Sequence, residues 1–357
     1  MHRDRRRQPH PRRAPHPLGA QPREHRGVRA RLGRLVALGA LSLVAAALAL
    51  HVGAAPLSWA RALRDPQSFD AAIAEARSAR VTLGYVAGGA LALVGAAFQA
   101  LFRNPLGDPY ALGVSGGAAL GATLAVLAGA AAALVPLAAF VGALCAMLAV
   151  LVTARASGRV GAEGLLLAGL VSNAITNAAL SFLRSLVSNG RAQETLSILL
   201  GAIAEEPWAR VGLVSVFAAV GALALVSLAK PLNLLAHGPD TAASLGVSVP
   251  RVELAVFTAS SLVVAAVVSV VGLVPFVGLI VPQYARRWVG ADHRLLLPAS
   301  FFAGATLLVI ADTAARALFT WVGSEPPVGA LTALVGGPVF LTMLRRLGDS
   351  RHASAPR

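Results

Sequence analysis

The sequence predicts an all-α membrane protein that crosses the bilayer about ten times. Of its 357 residues, 56% are apolar and only 13% are charged, whereas soluble domains carry roughly 25% charged residues. A single soluble core rarely grows beyond about 250–300 residues, so this apolar excess is too large for one interior. The apolar residues also fall into runs of about 20, the length that spans a bilayer as a helix.

Ten such runs follow one another along the chain. They lie near 35–54, 81–101, 111–132, 134–154, 163–187, 209–229, 252–272, 273–290, 296–320 and 328–346. The eighth run is marginal because Pro275 and Pro282 interrupt it, although proline is tolerated where neighbouring helices satisfy the freed backbone groups. We therefore expect a basic tail over 1–34, a ten-helix transmembrane domain over 35–347 and a short tail over 348–357.

The positive charge of the chain is concentrated near its beginning. Residues 1–34 hold eleven arginines, two acids and five prolines, a composition that cannot bury a core and predicts disorder. Basic flanks of membrane helices stay in the cytoplasm, and the C-terminal tail is basic too. An even number of passes agrees with this, so we expect a multi-pass cell-membrane protein with both termini cytoplasmic. No aromatic residue accompanies the tail arginines, which disfavours a nucleic-acid partner.

Several kinds of chemistry are excluded by the residues available. Lys230 is the only lysine and is followed by Pro231, so the ATP-binding phosphate loop G-x-x-x-x-G-K-[ST] cannot be present. The literal G-x-S-x-G at 113–117 lies early in an apolar run rather than at a strand-to-helix turn. Cys145 is the only cysteine and the tail histidines are irregularly spaced. We expect neither an enzyme, a bound cofactor nor a metal site.

Acidic residues within the apolar runs are almost absent, and Asp312 is the one that clearly lies inside a run. Carriers driven by protons or sodium usually need intramembrane carboxylates. If the protein moves a solute against a gradient, the energy therefore comes from a partner. An ion-gradient-driven secondary transporter remains the rival hypothesis, and it predicts uptake that needs no ATPase.

Three parts of the chain carry a family resemblance. They are Gly95–Gly121 (GAAFQALFRNPLGDPYALGVSGGAALG), Pro231–Val249 (PLNLLAHGPDTAASLGVSV), and Val271–Arg294 together with Ser324–Arg346. From about residue 35 to 347 the chain closely resembles the iron-complex transport permease family, the membrane subunits of ABC importers for iron–siderophores, haem and cobalamin.

This resemblance implies the type II importer fold, with two permease copies forming the pathway at their interface. It also implies two ATPase subunits, which use ATP and Mg, and a periplasmic or lipid-anchored substrate-binding protein. Iron–siderophore is the first expectation for the substrate, while haem and cobalamin stay open. A heterodimer with a paralogous permease is a further open alternative to the homodimer.

The resemblance also implies roles for two groups of residues. Segment 231–249 matches the part that docks into the ATPase, because a short helix with an apolar face can lie in a groove of another subunit. The arginines implied to grip acidic residues of the binding protein, in directional pairs with carboxylates, are Arg77, Arg80 and Arg316. The structural alternative is that Arg80 snorkels at a helix end and Arg316 pairs with Asp312 at i, i+4. The residues implied to meet the ATPase are Leu234, Leu235, Ala236, His237, Gly238, Thr241, Ala242 and Leu245.

The fifth run carries a polar stripe. Asn173, Asn177, Ser181, Arg184 and Ser188 follow spacings of 4, 4, 3 and 4, which places them on one helical face, and Thr176 lies beside it. Polar groups in a span face a bundle interior or a water-filled path, and the resemblance implies that this helix lines the translocation path. Hydrogen bonding within the bundle is the alternative for the two asparagines, and snorkelling is the alternative for Arg184.

The chain departs from the family pattern at one position in the eighth run. The family commonly has His after Val-Pro, and here Gln283 follows Pro282. Glutamine keeps hydrogen bonding but offers neither protonation nor metal ligation, so we expect a structural role.

Overall fold

The computed structural model describes residues 22–53, 55–156, 162–185 and 201–353. Within these ranges the chain forms thirteen α-helices, two short 3-10 turns and no strand. The helices are α1 Pro22–Ala49, α2 Trp59–Arg64, α3 Phe69–Leu101, α4 Val114–Leu127, α5 Val135–Ala156, α6 Ala162–Ser185, α7 Trp208–Ser227, α8 Ala229–Leu235, α9 Pro239–Ser244, α10 Val249–Val271, α11 Val277–Val289, α12 His293–Val322 and α13 Val328–Ala353.

Each of the ten predicted runs coincides with a helix, and the all-α membrane fold is confirmed. In the described residues seven helices are long and apolar enough to cross a membrane: α1, α3, α5, α6, α7, α10 and α12. Helix α4 and the 328–343 part of α13 are apolar but shorter. Helix α11 corresponds to the eighth run, which Pro275 and Pro282 make marginal, and it has 13 residues.

Helix α3 is the centre of the packing. Its side chains are buried almost continuously from Val81 to Leu101, and it packs against α7, α10, α11 and α12. Glycines set the closest approaches: a Cβ added at Gly88 would lie 2.4 Å from the carbonyl oxygen of Gly304, and one added at Gly95 would lie 1.8 Å from that of Gly278. Small residues at such crossings let backbones approach each other closely in membrane bundles.

The two tails are more helical than the composition predicts. Helix α1 begins at Pro22, so residues 22–34 belong to a helix rather than to a disordered tail. Proline suits the first helical position, and the Arg, Glu, Ala and Leu residues that follow it favour helix. Helix α13 likewise continues to Ala353, through much of the predicted tail 348–357. Residues 1–21 and 354–357 lie outside the described residues.

Candidate functional site

A buried ionic cluster joins the first part of α3 to α12. The Nε and Nη2 atoms of Arg80 donate to Oδ1 of Asp312 at 3.1 and 2.9 Å, and Nη2 also donates to Oε2 of Glu325 at 2.8 Å. On the other side, Nε of Arg316 lies 3.0 Å from Oδ2 of Asp312, the i, i+4 pair that the spacing allows. Asp312 is only 2% exposed, so its charge is compensated by two guanidinium groups. These residues with Arg77 are called the arginine cluster below.

Arg77 and Arg316 hold the chain where it leaves α1. Arg77 donates to the carbonyl oxygens of Leu50 and Ala55 at 3.1 and 2.9 Å. Arg316 donates to the carbonyl oxygen of Ala49 at 3.2 Å and also to that of Val52. Cations at a helix C-terminus compensate the unpaired carbonyl groups and the helix dipole, so both side chains stabilise this end of α1.

The predicted docking arginines are therefore occupied within the chain. Arg77 is 7% and Arg316 is 4% exposed, so in this conformation their guanidinium groups support the fold. Docking by them stays a prediction. Two arginines that the sequence analysis did not select, Arg61 and Arg64, are exposed on α2. Leu63 beside them is 81% exposed. The sequence showed only that the polar loop 55–80 carries four arginines. Their spacing does not tell which arginines are buried and which are exposed.

The polar stripe on α6 divides between two environments. Nδ2 of Asn173 donates to the carbonyl oxygen of Tyr110 at 3.0 Å, so this side chain makes a hydrogen bond within the bundle. Thr176 is buried and packs on α4 where a Cβ at Gly116 would lie 2.3 Å from its Oγ1. Asn177 and Ser181 are exposed. Of the other predicted path residues, the side chain of Arg184 and the whole of Ser188 lie outside the described residues.

The predicted ATPase-coupling segment forms two short helices, α8 and α9, and part of it is buried against the bundle. Leu235 and Ala242 are 3% and 0% exposed, because their side chains pack into the bundle core. Leu234 and Gly238 are partly buried. Among the eight predicted residues, the exposed ones are Ala236, His237, Thr241 and Leu245.

A polar triad anchors the coupling segment to α12. Nδ2 of Asn233 donates to Oδ1 of Asp292 at 2.7 Å, and Oδ1 of Asn233 accepts from the His293 amide at 2.8 Å. Burial opposes the charge of Asp292, but hydrogen bonds from Asn233 and from the Arg294 amide outweigh it and lower the pKa of the carboxyl. The sequence analysis missed this triad. An Asp–His pair before an apolar run suggests a helix cap, but nothing local identifies Asn233 as its partner.

Gln283 ties the end of α3 to α11. Its Nε2 donates to Oε1 of Gln99 at 2.6 Å and to the carbonyl oxygen of Pro105 at 3.1 Å. Nε2 of Gln99 in turn donates to the carbonyl oxygen of Leu279 at 2.9 Å. An amide bridges these acceptors without a proton or a metal, in agreement with the expected structural role.

The arginine cluster and the coupling segment lie toward opposite ends of α3. Arg80 and Gln99 are separated by 19 helical positions, which is about 29 Å at ~1.5 Å per residue, close to the ~30 Å hydrocarbon thickness of a bilayer. Helix α8 packs on α3 and α12. In the described residues no group of three or more His, Cys, Asp or Glu side chains could hold a metal ion. The arrangement offers polar contacts at two opposite ends of α3.

Comparison with known proteins agrees with this arrangement. Residues 40–346 match the FecCD transport family. The chain is 40% identical to the cobalamin import system permease protein BtuC of Halobacterium salinarum over 78% of this chain and 75% of that protein. It is 37% identical to the hemin transport system permease protein HmuU of Yersinia pestis over 77% and 83% of the two chains. With the ferric enterobactin transport system permease protein FepD of Escherichia coli it shares 37% identity over 86% and 93%.

A solved structure gives the same answer. An ABC transporter described as of metal-chelate type, in an inward-facing conformation, superposes with a TM-score of 0.77 at 28% identity, covering 88% of this chain and 99% of that one. The chain therefore belongs to the FecCD transport family and is the multi-pass membrane permease subunit of an ABC importer for metal-chelate substrates, not an enzyme.

Proposed function

We propose that the chain imports an iron–siderophore complex as one half of a homodimeric pathway. The observation that carries the proposal is the separation of two polar ends along α3, with the arginine cluster at one end and the anchored coupling segment at the other. A helix bundle with these two ends can bind a substrate-loaded binding protein at one end and can be moved by the ATPase subunits at the other. Two ATPase subunits use ATP and Mg, and alternating access follows from movement of one copy against the other.

The orientation follows from the same two ends. The coupling segment faces the cytoplasm of the inner or plasma membrane, where ATP is available, and both chain termini lie on that side. Asn233 and Asp292 transmit the movement, because they join α8 to the beginning of α12. Asp312, farther along α12, joins that helix to Arg80 of α3. A displacement of the coupling segment can thus reach the opposite end through one continuous helix.

The pathway is proposed to follow the exposed face of α6. Asn177 and Ser181 are polar side chains left open on that face, and Arg184 and Ser188 continue the stripe in sequence. Uncharged polar groups offer a large chelate weak contacts, which favour release over retention. Cobalamin and haem are the alternative substrates, because the relatives are named for cobalamin, hemin and ferric enterobactin.

Binding-protein docking is proposed to involve both buried and exposed arginines. Arg77, Arg80 and Arg316 fix the shape of the outer end, and Arg80 reaches its rim through Glu325. Arg61 and Arg64 present exposed positive charge on α2, although Nε of Arg61 also lies 3.3 Å from Oδ2 of Asp70. Acidic groups of a partner can be steered to these arginines and pair with them. Charge reversal at Arg61 and Arg64 is therefore expected to weaken association with the binding protein while changing the stability of the fold little. Arg77→Gln is expected to lower the stability of the fold instead, because Arg77 is buried. Unchanged association in Arg61→Glu/Arg64→Glu would refute the role of α2.

The substrate is tested by transport in proteoliposomes. The chain is reconstituted with its ATPase subunit and binding protein, and labelled ferric siderophore, haem and cobalamin are supplied in parallel. We expect ATP-dependent accumulation of the siderophore complex above the other two. Accumulation of cobalamin or haem alone would refute the siderophore as the substrate and would leave the assignment as an ABC importer permease unchanged.

A further inference from the structure

A small basic cavity lies at the coupling end of the protein, away from the proposed path. It has a volume of about 260 Å³ and lies between the turn that follows α3, helix α11 and the beginning of α12, with Ala236 of the coupling segment at its wall. Its polar lining includes Asn104, Arg103, Arg286 and His293. None of the described residues that line it is acidic. This basic cavity is not explained by the contacts of the importer described above.

His293, one of the residues that line this cavity, has a ring nitrogen that makes no hydrogen bond in the described part of the chain. The residue is 1% exposed, and its Nδ1 lies 2.6 Å from Oδ1 of Asn233. Because an amide oxygen can only accept, Nδ1 carries the hydrogen. Nε2 is buried and has no hydrogen-bond partner among the described residues. A buried polar atom without a partner is costly, so a ligand that hydrogen-bonds to Nε2 would relieve that cost.

The two arginines supply the charge. Arg286 has a buried Nε that likewise lacks a partner in the described part of the chain. Two backbone hydrogen bonds close the end of α3 at Arg103. The Arg103 amide donates to the carbonyl oxygen of Ala100 and the Asn104 amide donates to that of Gln99, both at 3.2 Å. This is the Schellman arrangement, in which glycine is usual at the left-handed position. Arg103 occupies it with φ 48°, a left-handed conformation that is uncommon for residues other than glycine.

Two nearby acids, Glu253 and Asp292, lie outside the lining of the cavity. Glu253 on α10 interacts electrostatically with Arg103 but is not part of the lining. Asp292, next to His293, already accepts hydrogen bonds from Asn233 and from the Arg294 amide. The described lining therefore contains two arginines and no acid, which gives it an excess of positive charge.

We propose that this basic cavity binds a phosphate-class oxyanion. Arginine is the side chain best suited to phosphate oxygens. Nε2 of His293, an acceptor because Nδ1 carries the hydrogen, can accept from a P–OH group of free phosphate or from a glycerol hydroxyl of phosphatidylglycerol. Two sources share the phosphate oxygens that the arginines would bind: the headgroup of an anionic lipid and free phosphate. Tyr284 and Trp288 on α11 are 45% and 54% exposed, and such residues concentrate at the membrane–water interface. Basic pockets between membrane helices at that depth bind anionic headgroups.

The test compares the full chain in nanodiscs of phosphatidylcholine alone, of phosphatidylcholine with phosphatidylglycerol, and of phosphatidylcholine with added inorganic phosphate. Thermal unfolding midpoints report binding, since a ligand that binds only the folded state raises them. We expect a higher midpoint with phosphatidylglycerol or phosphate. A gain with the lipid alone identifies the headgroup, and a gain with phosphate as well identifies the free anion.

Matched variants assign the effect to the cavity. Arg286→Gln is expected to weaken binding about tenfold, the loss of one charge-assisted hydrogen bond, whereas Arg287→Gln, the exposed neighbour on α11, leaves it unchanged. Arg103→Gly gives two opposite effects, a higher midpoint without anion and weaker binding with it, which separates ligand binding from folding. Equal midpoints in all three nanodiscs, or equal losses in Arg286→Gln and Arg287→Gln, would overturn the proposal. A gain that requires the ATPase subunit would also overturn it, in favour of a protein carboxylate in the cavity.

Discussion

Neutralising Asp312 tests whether the arginine cluster holds the outer end of the fold together. The Asp312→Asn substitution keeps the side-chain size and removes one negative charge, so the cluster of three arginines and two acids changes from +1 to +2. The side chains of Arg80 and Arg316 are only 11% and 5% exposed. Arg80 would then keep Glu325 at the rim as its acid, whereas Arg316 would lose the carboxylate it pairs with. Removing one partner of a buried ion pair costs about 3–5 kcal/mol.

The lower limit of that range is expected for this variant, because the asparagine oxygen still accepts one hydrogen bond from Arg80. A loss of about 3 kcal/mol corresponds to a fall of roughly 6–12 °C in the unfolding midpoint, at ~2–4 °C per kcal/mol for larger domains. The assay is tryptophan fluorescence of the detergent-solubilised chain during heating. Glu325→Gln is the control: this carboxylate is 38% exposed, and an exposed pair contributes at most about 1 kcal/mol. Equal midpoints for the two variants would refute the reasoning.

Two further substitutions examine helix packing and the coupling anchor. Gly95→Ala places a methyl group 1.8 Å from the backbone of α11 and should lower the melting midpoint by the equivalent of about 1–3 kcal/mol. Gly212→Ala, with no atom within 4 Å, should not, and equal effects would contradict the packing. Asn233→Ala removes the bonds to Asp292 and His293, so ATP hydrolysis stimulated by the binding protein should fall severalfold in the assembled complex. Ser244→Ala, whose hydroxyl bonds only within its own turn, should keep full stimulation. An Asn233→Ala complex with full stimulation would remove the anchor from the mechanism.

Features encoded within about 20 consecutive residues could be predicted from the sequence. Each apolar run became a helix, and the long motif segments identified the family that the comparisons show. These signals depend on local composition and spacing, which tertiary contacts do not overturn.

The partners of individual polar side chains could not be predicted in the same way. The i, i+4 spacing suggested the bond between Arg316 and Asp312, but the second partner of that acid, Arg80, lies 232 positions away. On α6 the spacing placed the stripe on one face, yet α4 covers the side that carries Thr176. In the coupling segment Leu235 and Ala242 pack into the bundle core, and composition alone does not separate them from the exposed Leu245.

The most direct test of the central claim is uptake by proteoliposomes that contain this chain, its ATPase subunit and its binding protein, with either an active or a catalytically inactivated ATPase. The account predicts that a ferric siderophore accumulates only with the active ATPase and with ATP, and that an imposed ion gradient changes nothing. Uptake that continues with the inactivated ATPase and follows the ion gradient would contradict the account and support a secondary transporter.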